Sequence, residues 1–244
     1  MLKAERIDRI FEIIKQNKYT TVDALVDRIH YSPATIRRDL TNLAKAGLII
    51  KSYGGVSLNT QAKPSIIREH ENTVEKIKLC GLAQSLISDG DTIFVDGTTT
   101  TFFLHELLSK KKNITVVTTN LKLAIILGEN NVNCFVTGGQ VHDATFLKGL
   151  YCADLLNKIN FDIAFFSCSQ ISPSGEVAIY DGFSPFVETV ISRCKKNVLL
   201  CDAHKFSNKL PFVFSCLKKF NVIITNGKFD DDIQEKFPTV KFIN

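Results

Sequence analysis

The chain has 244 residues, 45% of them apolar, which suffices for one large core or two modest ones. No apolar run approaches the roughly 20 residues that a membrane span requires, and the opening MLKAERIDRIFEIIKQ is amphipathic and charge-rich rather than a leader, so a soluble cytoplasmic protein with no membrane association is expected. The net charge of +5 is uneven: residues 1–56 hold ten Lys and Arg against six Asp and Glu, and the rest hold twenty against nineteen, as for a basic nucleic-acid-binding module on a near-neutral body.

Three helices and a hairpin are predicted first. Ile7, Ile10, Phe11 and Ile14 recur at helical spacing, and Thr20 or Thr21 can cap a second helix in which Val22, Leu25, Val26 and Ile29 share a face. After the turn HYSP (30–33), Ser32 is a good N-cap and Pro33 suits the first helical position. Ile36, Leu40 and Leu43 then fall on one face, with Arg37 and Arg38 off it and Thr35 and Thr41 near them. Gly47 can end this helix, and LIIKSYGGVSL (48–58) reads as two strands turning at Gly54-Gly55. Helix, short turn, helix, hairpin is the layout of a winged helix-turn-helix, whose second motif helix enters the major groove of double-stranded DNA. Candidate DNA contacts are Ser32, Ala34, Thr35, Arg37, Arg38 and Thr41 on that helix and Lys51, Tyr53, Gly54 and Gly55 in the wing. Arginine reads guanine bidentately or grips phosphate, and the sequence does not separate the two roles.

Residues 58–73 are polar, contain Pro64, and read as a linker between a DNA-binding domain (1–57) and a larger α/β domain (74–244). In the latter, strand-like runs at 92–96, 114–120, 133–139, 162–169, 197–202 and 221–226 are separated by helical candidates at 74–88, 100–110, 120–129, 150–159 and 184–195. Apolar strands separated by helices predict a parallel sheet covered on both faces, and such sheets bind ligands just beyond the carboxyl ends of their strands. After TIFVD come Gly97, Thr98, Thr99 and Thr100, a glycine turn with hydroxyls opening a helix and therefore a candidate anion site. The other strands are followed by Asn120, by Gly138-Gly139 with Lys148-Gly149 further on, and by Asp202 with Lys205. These strand ends, with Asp96, suggest a site for a phosphorylated small molecule. There is no Walker P-loop and no G-x-G-x-x-G, so no nucleotide cofactor is expected.

The seven cysteines are scattered, odd in number and without C-x-x-C spacing, which predicts buried free thiols rather than disulfides or a metal site. His30 reads as a residue of the motif turn, His105 and His142 have no evident metal partner, and Cys201 beside Asp202 and His204 lacks the geometry of a nucleophile–base pair, since adjacent strand residues point to opposite faces.

These residues carry a family resemblance. The series V-x-x-L (Val22, Leu25), S-x-x-T-I-R-R-D-L-x-x-L (Ser32 to Leu43), G-L-I (Gly47 to Ile49) and the wing Tyr53-Gly54-Gly55 resembles the DeoR family of bacterial transcriptional regulators. Arg68, Asn72, Glu75, Lys76, DGDTIFVD, VVTTN, the GG pair and D-x-x-K-F from Asp202 extend it over nearly the whole chain. The resemblance implies a repressor that binds operator DNA as a homo-oligomer, dimer or tetramer. It also implies a C-terminal fold like the ribose-5-phosphate isomerase and CoA-transferase group, sensing a phosphorylated sugar. On that basis Asp96, Thr99, Thr100, Gly138, Gly139, Asp202 and Lys205 are effector contacts, with Lys205 on the phosphate and an aspartate accepting sugar hydroxyls.

The chain departs from the family pattern at Gly97, at His142 where an arginine is frequent, at Ser167-Cys168-Ser169-Gln170, and in SPFVETVISR (184–193). Two other readings stand beside the repressor. One is a sugar-phosphate isomerase-like enzyme with Asp96 or Asp202 as general base; the other is a constitutive DNA-binding protein whose C-terminal domain only oligomerises.

Overall fold

The computed structural model describes residues 2–17, 19–45, 48–59, 68–142, 145–149, 151–179, 186–206, 212–227 and 231–244. The chain divides into two compact units, Met1–Val74 and Glu75–Asn244. Gly47, Pro64 and residues 60–67 of the expected linker lie outside the described residues.

The first unit runs α1 (Lys3–Asn17), β1 (Tyr19–Thr21), α2 (Val22–Ile29), α3 (Pro33–Lys45), β2 (Ile49–Ser52) and β3 (Gly55–Leu58). The apolar stripes read from the sequence converge in one core: Ile10, Phe11 and Ile14 of α1, Leu25 and Ile29 of α2, and Ile36, Leu40 and Leu43 of α3, closed by Leu48, Ile49 and Val56. Thr21 is the cap of α2, its hydroxyl accepting from the Ala24 amide at 3.1 Å. Thr20 is buried instead, paired with Val56 where β1 joins the hairpin in the order β1-β3-β2. At three residues, β1 is too short to show periodicity.

The hairpin turn also differs from expectation. Ser52 pairs with Gly55, so Tyr53 and Gly54 form the turn, with Gly54 at φ 82° supplying the conformation other residues resist. Gly55 already belongs to β3 and is buried beneath Tyr19: a Cβ there would stand 2.5 Å from Tyr19 Oη and 2.6 Å from the Thr20 carbonyl. It is a packing glycine.

A buried ion pair ties α1 to α3. Asp39 sits on the buried face of α3 among Ile36, Leu40 and Leu43, and accepts from Arg6 Nε at 2.6 Å and Nη2 at 3.4 Å. The Arg6 guanidinium also lies 4.6 Å from the Tyr31 ring centroid.

In the second unit the order is α4 (Thr73–Gly81, straddling the division), a 3-10 turn (Leu82–Leu86), β4 (Thr92–Val95), a 3-10 turn (Thr101–Leu104) running into α5 (His105–Leu108), β5 (Thr115–Thr118), α6 (Leu121–Glu129) and β6 (Asn133–Val136). Then follow the hairpin β7 (Gln140–His142) and β8 (Phe146–Lys148), α7 (Tyr151–Leu156), β9 (Phe161–Ser167), β10 (Gln170–Ile171) and β11 (Glu176–Ile179). The chain ends with α8 (Val187–Ser192), β12 (Cys194–Leu200), a 3-10 turn (Ala203–Lys205), β13 (Phe212–Cys216), β14 (Val222–Ile224), α9 (Asp231–Lys236) and β15 (Lys241–Ile243).

Seven strands form one parallel sheet, ordered β15-β14-β12-β9-β4-β5-β6. Their side chains alternate between two cores, as the two-residue strand period requires. Ile93, Val95, Val116, Phe165, Val198 and Leu200 pack under Leu79 and Ala83, Leu104, Leu108, Leu123 and Leu127. Phe94, Val117, Ala164, Phe166, Leu199 and Ile223 pack under Leu156, Val187, Val190 and Ile233 together with a small antiparallel sheet, β10-β11-β13. That small sheet, the β7–β8 hairpin and β15 were not expected from the sequence. The last strands also shift: the run expected at 197–202 pairs from Cys194 to Leu200, because Arg193 ends α8 and β12 is drawn alongside Phe161.

This order places a topological switch point between β4 and β9. From β4 the chain builds outward through β5 and β6, then returns to the other side at β9 and builds outward again through β12, β14 and β15. The crevice beyond the carboxyl ends of those two central strands is where open α/β sheets bind ligands.

Asp39→Ala is expected to destabilise the first unit by about 3–5 kcal/mol, because it leaves the Arg6 charge buried without its counter-ion. The pair Arg6→Met with Asp39→Leu should lose clearly less. Hydrogen exchange of the α1 and α3 amides measures both; equal losses would show that packing, not the stranded charge, sets the cost.

Candidate functional site

In the first unit, Ser32 caps α3: its hydroxyl accepts from the Thr35 amide at 3.3 Å and lies 3.0 Å from the Thr35 hydroxyl. With Ile36, Asp39, Leu40 and Leu43 turned inward, Arg37 and Arg38 are left exposed, and Ala34 with them. Ser32 and Thr35 are thus occupied in starting the helix. Upstream, His30 turns the chain out of α2 in the left-handed conformation (φ 59°), its amide donating to the Val26 carbonyl at 2.8 Å, which sets the angle at which α3 leaves.

The wing is fixed to this helix by a relay. Lys51 Nζ donates to the Thr41 hydroxyl at 2.6 Å, and that hydroxyl donates to the Arg37 carbonyl at 2.7 Å. Thr41 and Lys51, expected from the sequence to touch DNA, here position wing and helix relative to each other. Between them runs a cleft of about 240 Å³ lined by Val22, Arg37, Leu40, Lys51, Ser52, Gly54, Gly55 and Val56. Tyr53 at the wing tip is fully exposed. Exposed cations on a helix whose other face is core, beside an exposed wing tip, make a surface suited to a duplex groove and its phosphates.

In the second unit the switch point is organised by Asp96. Its Oδ1 accepts from the Thr98 amide at 3.0 Å, the Thr98 hydroxyl at 2.7 Å and the Thr101 hydroxyl at 2.6 Å. Its Oδ2 accepts from the Ser167 amide at 2.8 Å. Burial pushes this carboxyl above the ordinary range, while the four donors pull it back. Asp96 therefore shapes the Gly97–Thr101 loop and clamps it to the end of β9, and its oxygens are already engaged by protein donors. Gly97 is required for close approach: a Cβ would stand 2.8 Å from Phe146 Cβ and 3.0 Å from Thr119 Oγ1.

Two lysines end on this loop. Lys205 Nζ lies 3.1 Å from Ser167 Oγ and 3.4 Å from Thr100 Oγ1. It is delivered by the Ala203–Lys205 turn, which Asp202 caps by accepting from the His204 amide at 3.0 Å. The spacing D-x-x-K thus has a local cause: one 3-10 turn separates a buried cap from the cation it presents. Lys76 Nζ, on the buried face of α4, lies 3.4 Å from Thr99 Oγ1. Lys76 was not among the expected site residues. The signal was present, since Lys76, Leu79, Cys80 and Ala83 share one helical stripe and a lysine within an apolar stripe is unusual. Cys80 supports the loop from below, its thiol donating to the Thr100 carbonyl at 3.3 Å, and burial raises its pKa.

The remaining expected residues lie on other elements. Asn120 is the N-cap of α6, accepting from the Leu123 amide at 3.0 Å and nearly fully buried. Gly138 and Gly139 turn the chain from β6 towards β7 with φ of 77° and 117°, and Gly149 follows β8 at φ 128°. The Lys148 ammonium lies 5.1 Å from the Phe146 ring centroid. Among the described residues, the hydrogen-bonded cluster comprises Lys76, Asp96, Thr98 to Thr101, Ser167 and Lys205, with Asp202 behind it.

Comparison with known proteins agrees with this division. Residues 6–62 match the DeoR-like helix-turn-helix domain and residues 71–227 the DeoR C terminal sensor domain. The chain is 30% identical to the HTH-type transcriptional regulator GlpR of Haloferax volcanii, over 97% of this chain and 94% of that one. It is 28% identical to the glycerol-3-phosphate regulon repressor of Escherichia coli, over 93% and 92%. Among solved structures it is similar to ribose 5-phosphate isomerase from Plasmodium falciparum, with a TM-score of 0.40 and 14% identity over 55% of this chain and 53% of that one, too distant to bear on function. These relatives are named as regulators and repressors, not enzymes. The chain belongs to the DeoR family of DNA-binding transcriptional regulators.

Proposed function

We propose that the protein represses an operon for the use of a sugar or a related polyol and is released from its operator by a phosphorylated form of that compound. The observation that carries the effector assignment is the convergence of Lys76 and Lys205 on the Thr99–Thr100 hydroxyls at the sheet's switch point. Two ammonium groups beside a hydroxyl-rich loop neutralise and hydrogen-bond a phosphate dianion. With its own oxygens engaged, Asp96 holds the loop in shape, and the Ser167 hydroxyl, which donates to the Leu200 carbonyl at 2.7 Å, seats Lys205, leaving the Thr99 and Thr100 hydroxyls for the ligand. The name of the Escherichia coli relative, a glycerol-3-phosphate regulon repressor, supports a phosphate ester of this size.

Arg37 and Arg38 supply the DNA contacts from α3, with Ala34 and Tyr53 exposed beside them and Lys51 holding the wing in register. Residues 1–57 then serve as the DNA-binding domain and 74–244 as the sensing and oligomerising domain. Operators read by helix-turn-helix proteins are bound two half-sites at a time, which calls for a dimer or a tetramer. Its work on operator DNA places the protein in the cytoplasm. The effector acts by linkage: it shifts operator affinity only to the extent that it binds two arrangements of the subunits unequally.

Arg37→Ala and Arg38→Ala should each weaken operator binding by about 1–3 kcal/mol without lowering the thermal midpoint. Fluorescence anisotropy on DNA upstream of the protein's own operon measures this, and a phosphate contact would also reduce the salt slope by about one. Unchanged affinity in both variants would remove α3 as the recognition helix. Lys205→Ala should abolish release by hexose, pentose and glycerol phosphates while leaving DNA affinity intact, and Lys76→Met should do the same. An unaffected release midpoint in Lys205→Ala would overturn the phosphate assignment.

A further inference from the structure

Two of the buried cysteines meet directly behind the proposed effector site. Ser167 and Leu200 are the last registered partners of β9 and β12; the next residues on each strand are Cys168 and Cys201, whose sulfurs are 3.7 Å apart. Both are free thiols within the same core, Cys168 4% exposed and Cys201 fully buried. Adjacent strands run roughly 4.8 Å apart, inside the Cα separation of about 4.4–6.8 Å that a disulfide spans, so bonding needs the thiols to rotate towards each other rather than the strands to move far. Of the cysteines whose side chains are described, this is the one pair with sulfurs in contact.

The neighbours give the pair its interest. Cys168 follows Ser167, whose amide is clamped by Asp96 and whose hydroxyl meets Lys205. Cys201 precedes Asp202, which caps the turn carrying Lys205, and its thiol also lies 3.4 Å from the Asp202 carbonyl. A bond between the two sulfurs therefore turns the side chains that adjoin both walls of the lysine's seat and ties those walls to each other.

We propose that Cys168 and Cys201 are a redox modification site, which hydrogen peroxide converts reversibly to a disulfide that impairs the sugar-phosphate site one residue away. The second half rests on the effector reading above; the first does not. The burial of the pair selects a small oxidant over a bulky disulfide. In the first step the Cys168 thiolate attacks one peroxide oxygen: an S–O bond forms, the O–O bond breaks, and hydroxide leaves to take up the thiol proton as water. In the second, the Cys201 sulfur attacks the Cys168 sulfenic acid: the S–S bond forms, the S–O bond breaks, and a second water carries off the Cys201 proton. Two electrons leave the thiols and reduce one peroxide to two waters. The contact with Cys201, and then the charge of Lys205, lower the pKa of Cys168; burial raises that of Cys201, which suits Cys168 to react first.

The test uses the reduced full-length protein treated with hydrogen peroxide, denatured, alkylated and mapped by mass spectrometry. The expected product is a cross-link between the peptides holding Cys168 and Cys201, two hydrogen atoms lighter, reversed by dithiothreitol, and absent in Cys201→Ser. In the operator-release assay with glucose 6-phosphate, ribose 5-phosphate and glycerol 3-phosphate, oxidation should raise the active compound's midpoint by about tenfold or more in the wild type and leave Cys201→Ser unmoved. Recovery of Cys168 as an alkylated thiol, as a sulfinic acid, or bonded to another cysteine overturns the site. A cross-link that leaves the midpoint unchanged overturns its coupling to sensing. If no sugar phosphate acts on the reduced protein, the effector reading falls by itself, and the wild-type mass map still decides the modification site.

Discussion

The carboxylate of Asp96 holds the sensing unit's central crevice together. β4 and β9 pair as far as Val95 and Phe165, and beyond their carboxyl ends the chain leaves towards opposite edges of the sheet. Asp96 accepts from Thr98 and Thr101 on its own loop and from the Ser167 amide across the gap. A buried carboxylate is costly without such partners, so the donors and the charge stabilise each other. The threonine-rich run is part of this arrangement: Thr98 and Thr101 face the carboxylate, leaving Thr99 and Thr100 to face the lysines.

The DNA-binding unit uses the same device at smaller scale. The Arg6–Asp39 pair joins α1 to α3 beside the apolar core that the three helices share. Asp39 adjoins Arg38 in sequence yet points the opposite way. A 100° step per residue separates a buried structural anion from an exposed cation, so the R-R-D-L run holds two jobs on one helix.

Polar residues thus divide into those that build and those that are held in place. Asp39, Thr41, Asp96, Asn120 and Asp202 are spent on ion pairs, relays, caps and clamps. Arg37, Arg38, Lys76, Lys205 and the Thr99–Thr100 hydroxyls are what those contacts position. The cysteines at 168 and 201 sit at the junction, packed as core on one side and adjoining the lysine's seat on the other.

Local sequence determined the helices of the first unit, the cap at Ser32 and a threonine cap at 20 or 21, the alternation of strand and helix, and the strand ends where polar residues gather, because each depends on neighbours within a few positions. It also carried enough of the signature in Ser32 to Leu43 to place the chain in its family. Only the tertiary structure decided that Gly55 packs under Tyr19 rather than turning the hairpin, that Asp96 clamps the loop that follows it, and that Lys76 and Lys205, nearly 130 residues apart in the chain, end on neighbouring threonines. It likewise decided the pairing of β1, β15 and the small antiparallel sheet. Periodicity reports which face of a segment is apolar, but not which distant segment covers it; that choice belongs to the order of strands in the sheet, and the order brings β9 and β12 beside β4.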